Sequence, residues 1–98
     1  MKEKHEDLMR TIQSKFSSLS KGQKNIAEFI LKDYDKAAFM TAAKIGETVG
    51  VSESTVVRFA NEIGFKGYPS FQKALQNLVK VKLTTVQRLE LTNTMVSS

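Results

Sequence analysis

The sequence predicts an all-α protein, a compact bundle of about five helices, and three observations carry that prediction. Apolar residues recur three and four positions apart from Leu8 to Leu78, the period of a helix face, and no stretch alternates as a strand would. The single proline, Pro69, suits the first turn of a helix, where its missing N–H costs nothing. A chain of 98 residues with 41% apolar content can bury one helical core, but not a core and a roomy active site as well.

Leu8, Ile12, Phe16 and Leu19 make residues 7–18 an amphipathic first helix. Ser20 followed three residues later by Gln23 reads as a capping box. It starts a second helix that runs toward Lys32 with Ile26, Phe29 and Ile30 inward, and 33–36 is the expected exit loop. Ala37, Ala38, Phe39 and Met40 lead into Thr41, an N-cap, with Phe39 expected to anchor this crossing to the core. Ile45 and Val49 share one face of the third helix, and the small Gly46 beside them lets another helix cross closely. Gly50 serves as C-cap and hinge in the left-handed conformation, Val51 tucks back into the core, and Ser52 caps the next helix. In that fourth helix Val56, Phe59, Ala60 and Ile63 face inward, leaving Glu53, Ser54, Val57, Arg58 and Asn61 outside, before Gly64 supplies a second C-cap. After a tight connection through Phe65, Lys66, Gly67 and Tyr68, a fifth helix carries Phe71, Leu75 and Leu78. The division is therefore 1–80 as a helix-turn-helix domain and 81–98 as a linker, where the helical signal fades.

The charge balance narrows the function. Fifteen Lys and Arg against ten Asp and Glu leave +5, which favours a polyanionic partner such as nucleic acid. With no cysteine there is no disulfide or thiolate metal site, and the lone His5 near the N-terminus is a solvated side chain. No metal, cofactor or catalytic residue is expected, because there is no glycine-rich phosphate loop, no paired carboxylates and no nucleophile with a base. The chain does not read as an enzyme. With no long apolar run and no signal-peptide pattern it reads as cytoplasmic, with no membrane partner.

Two short helices hinged at a glycine, the second with small polar residues and an arginine outward, are the layout of a DNA-reading helix-turn-helix. On that layout Glu53, Ser54, Val57 and Arg58 are the candidate base readers. Arg58 can address guanine O6 and N7 with two donors, Glu53 can accept from cytosine N4, and Val57 can meet a thymine methyl. Each has a plainer alternative: a solvated or phosphate-bound Arg58 or one paired with Glu62, a Glu53 that favours the helix start, a Val57 at the core edge. Lys44, Ser52, Thr55, Asn61, Lys66 and Tyr68 are the candidate phosphate contacts, with capping, solvation and packing as their plainer roles. The six phenylalanines are assigned to the core and not to a stacking surface for single strands.

With these residues placed, the chain resembles the N-terminal domain of the RpiR family of bacterial transcription regulators. The run Val51, Ser52, Thr55, Val56, Val57, Arg58, Phe59 followed by Gly64, Phe65, Gly67, Tyr68, Phe71 is similar to that family's V-S-x-x-T-V-x-R-F and G-F-x-G-[YF]-x-x-F, over roughly residues 5–80. The resemblance implies a duplex DNA operator as partner. It also implies a C-terminal sugar isomerase domain that senses a phosphosugar and mediates homo-oligomerisation, a domain not found in this chain, so that 81–98 would be the start of the interdomain linker. The function it implies is sequence-specific DNA binding that controls sugar or sugar-phosphate metabolism genes. The alternative is a helical interaction or dimerisation module without DNA binding; salt dependence separates the two, since neutralised phosphates release counterions.

Overall fold

The computed structural model describes residues 4–80, and they form five α-helices. Helix α1 spans Lys4–Lys15 and closes with a 3-10 turn, Phe16–Ser18. Helix α2 spans Lys21–Ala37, α3 Ala42–Val49, α4 Glu53–Ile63 and α5 residues 68–80. The linker assigned to 81–98 lies outside the described residues. Among the described residues no helix is long and apolar enough to cross a membrane.

The caps form where their residue types put them. Ser20 Oγ accepts from Gln23 N at 3.3 Å while Gln23 Oε1 accepts from Ser20 N at 3.1 Å, so two otherwise orphaned N–H groups are satisfied reciprocally. Thr41 Oγ1 accepts from Lys44 N at 3.0 Å and starts α3. Gly50 and Gly64 end α3 and α4 with φ of +83° and +112°, the left-handed region that lacks a Cβ penalty only for glycine.

All five helices bury one face in a single core. Ile12, Ile26, Ile30, Ile45, Val56 and Phe59 are fully enclosed, and α5 adds Phe71 and Leu75. Phe71 packs edge-to-face with two neighbours, its ring centroid 5.7 Å from that of Phe59 and 5.6 Å from that of Phe65, an arrangement that suits the ring quadrupoles. Phe16, Phe29 and Phe65 lie half-buried against this core.

Two expectations change around the α2–α3 turn. The segment 33–36 is not a loop: Asp33, at φ −129° and ψ 46°, leaves helical geometry for one residue and the helix then resumes to Ala37. Phe39 does not anchor the crossing, for its side chain is 68% exposed. Ala37 and Ala38, both fully buried, are the residues of this segment that turn into the core instead.

Candidate nucleic-acid interface

The geometry of the α3–α4 pair follows from three glycines. Gly46 O accepts from both Gly50 N and Val51 N, each at 2.8 Å, which closes the end of α3 and turns the chain back on itself. A Cβ on Gly46 would lie 2.6 Å from Val51 O, so the crossing is possible only without a side chain there. Gly22, near the start of α2, was not singled out in the sequence. A Cβ on it would lie 3.2 Å from Val51 Cγ1 and 3.6 Å from Thr55 Cγ2, which places the first turn of α2 against the hinge and the first turn of α4. A glycine two residues after the capping Ser20 is the signal the sequence carries, and the tertiary contact shows its use.

Ser52 opens α4. Its Oγ accepts from Thr55 N at 3.2 Å and lies 2.9 Å from Thr55 Oγ1 and 3.1 Å from Ser54 Oγ, a cluster of three hydroxyls at the exposed end of the helix. Val56, Phe59, Ala60 and Ile63 are buried as the spacing requires. Glu53, Ser54, Arg58 and Asn61 are exposed on the opposite face, whereas Thr55 and Val57 are half-buried and Val57 packs on the core edge. Among the described residues no carboxylate pairs with Arg58, so the alternative partner Glu62 does not hold it. The guanidinium is left facing outward.

Lys44 and Lys66 are both exposed, flanking α4 in sequence. Lys44 Nζ lies 3.3 Å from Glu47 Oε1, a solvent-exposed pair of little strength that a phosphate can displace. Tyr68 stands apart from these candidates. It is buried, and its hydroxyl donates to Met40 O, so the proton expected to meet a phosphate is spent within the fold. Burial also pushes its pKa from 10.0 up to about 12. Among the described residues no three His, Cys, Asp or Glu side chains gather into a metal-binding group.

Residues 6–81 match the family described as helix-turn-helix domain, rpiR family. The chain belongs to that family. Its relatives include the HTH-type transcriptional regulator HexR of Pseudomonas aeruginosa, 35% identical over 66 residues that make up 67% of this chain and 23% of that protein. YfhH of Escherichia coli, an uncharacterized HTH-type transcriptional regulator, is 33% identical over 64 residues, 65% of this chain and 23% of the relative. Among solved structures, Vibrio vulnificus NanR complexed with ManNAc-6P superposes with a TM-score of 0.72 at 28% identity, covering 84% of this chain and 31% of that one. This RpiR-family domain thus spans about a quarter of the length of its curated relatives. It is a transcriptional-regulator helix-turn-helix domain, which implies DNA binding.

Proposed function

We propose that this domain reads duplex DNA with α4 in the major groove, as part of a bacterial regulator of sugar or sugar-phosphate metabolism genes. The observation that carries the reading is the outward face of α4: Glu53, Ser54 and Arg58 are exposed, with Arg58 unclaimed by any carboxylate among the described residues. A guanidinium in that state keeps its two-donor edge for a guanine. Val57, half-buried at the rim, adds an apolar contact, and Ser52, Thr55, Asn61, Lys44 and Lys66 meet phosphate oxygens around it. Tyr68 is removed from that set, because its hydroxyl is committed to Met40 O.

The metabolic part of the reading rests on kinship. NanR, the structural neighbour, is in complex with ManNAc-6P, a sugar phosphate. We infer that a phosphosugar effector and homo-oligomerisation belong to the portion of the relatives that this chain does not cover.

Selection from a random-sequence duplex library with this chain tests the DNA reading. Enrichment of a common sequence, with affinity that falls steeply as salt rises, is the expected result. Binding to no duplex, or binding without salt dependence, would favour the interaction-module alternative.

A further inference from the structure

One stripe of α5 grips the α2–α3 turn from outside. Among the described residues no backbone N–H donates to the carbonyls of Ala38 and Met40. Three side chains of α5 do so instead. Gln72 Nε2 donates to Ala38 O at 3.2 Å and to Met40 O at 3.1 Å, and Gln76 Nε2 donates to Ala38 O at 3.1 Å. The Tyr68 hydroxyl donates to Met40 O. A carbonyl oxygen has two lone pairs, and each of these two oxygens receives two donors. Spaced four residues apart, Tyr68, Gln72 and Gln76 share one face of the helix.

The gripped turn leads directly into Thr41, the N-cap of α3. Helix α4 is in turn locked to α3 through Gly46 O and the close passage of Val51. Whatever orients the turn therefore orients both helices. Side-chain packing sets a crossing angle only to within about 15–20°, whereas hydrogen bonds have direction and can fix it further. Gln72 and Gln76 are only half-buried, so water can replace their amides at the carbonyls and their removal costs the fold little. Their effect falls on the angle of the turn more than on whether the chain folds.

We propose that Tyr68, Gln72 and Gln76 are positioning residues for DNA reading. They hold the α3–α4 pair at the angle that brings the outer face of α4 onto base edges, and through them a displacement of α5 reaches that pair. The proposal rests on α4 being the DNA-reading helix.

The test compares the 98-residue chain with its Gln72→Leu/Gln76→Leu variant on two probes, the duplex enriched by the parent and a random-sequence duplex pool. The variant should bind the enriched duplex about tenfold more weakly and the pool within about twofold of the parent, because base contacts need the angle and phosphate contacts tolerate its change. Gln72→Glu separates hydrogen bonding from packing: nearly the same shape, it turns acceptor oxygens toward acceptor carbonyls and should lower the enriched-to-pool ratio as well. Amide exchange at Lys44 and Ile45, the first hydrogen-bonded donors of α3, should quicken in both variants. If the double variant does not melt cooperatively, Gln76→Leu alone takes its place, leaving Ala38 O one donor and lowering the ratio about threefold. A ratio equal to the parent's in the folded variants overturns the proposal and leaves the reading of α4 intact. A parent that enriches no duplex overturns that reading first.

Discussion

Gly46 and Val51 are separated by less than a side chain. A Cβ at residue 46 would stand 2.6 Å from the Val51 carbonyl oxygen, closer than real contacts allow and against backbone that cannot swing away. Gly46→Ala should therefore force α3 and the hinge apart, at a cost of about 1–3 kcal/mol. Gly50, four residues on, has open space around it and a φ of +83°, so its glycine is needed for conformation and not for room. Gly50→Asn should be milder than Gly50→Val, which should cost about 1–3 kcal/mol, because asparagine tolerates the left-handed region and a β-branched residue does not. Thermal melting of the three variants checks both statements, and equal losses for Asn and Val would show that residue 50 can leave that conformation.

Arg58→Ala should weaken binding to the enriched duplex by about 1–3 kcal/mol and to random duplex much less. The exposed guanidinium has no carboxylate partner to lose among the described residues, so the melting temperature should hardly change. Equal weakening on both probes would make Arg58 a phosphate contact.

Lys44→Ala and Lys66→Ala should weaken binding to all duplexes alike. Each should reduce the log–log salt slope by about 0.9 for every phosphate contact removed. Removing Lys44 also frees Glu47, but that exposed pair contributes no more than about 1 kcal/mol to stability. A slope unchanged in both variants would leave α4 without its expected clamp.

Tyr68→Phe should leave the salt slope as it is, since the hydroxyl serves Met40 O, and should cost about 0.5–1.5 kcal/mol of stability. Its pH dependence is distinctive. The folded-state pKa, raised to about 12, exceeds the unfolded value of 10.0, so stability from the protonated phenol is complete below pH 10 and is lost as pH rises toward 12. Other groups titrate in that window, so the measure is the difference between parent and Tyr68→Phe. It should fall by about 2 kcal/mol from pH 9 to pH 12 and change sign, the Phe variant becoming the more stable at the upper end.

Phe39→Ser should change stability by less than about 0.5 kcal/mol, against about 3–5 kcal/mol for Phe71→Ala. The contrast follows from burial, for Phe39 is 68% exposed and Phe71 is fully enclosed. Chemical denaturation of the two variants side by side measures it.

Local rules were enough to place most of the fold. Each cap joins residues a few positions apart, and the inward residues of α4 follow from a period that needs no partner, so Ser20, Thr41, Ser52, Gly50 and Gly64 were legible in the chain itself. So was the outward face of Arg58. The structure decided what depends on residues distant in sequence. Phe39 was grouped with the phenylalanines at inward helical positions, yet it is exposed and its neighbours Ala37 and Ala38 are the buried residues. Tyr68 carries a hydroxyl suited to a phosphate, with packing as its plainer role. The hydroxyl's partner is Met40 O, 28 residues away, reached only when α5 lies across the α2–α3 turn. Gly22 acquires its meaning the same way, from Val51 and Thr55. Periodicity states which face of a helix turns inward; which neighbour that face or its edge meets depends on the packing of the whole chain.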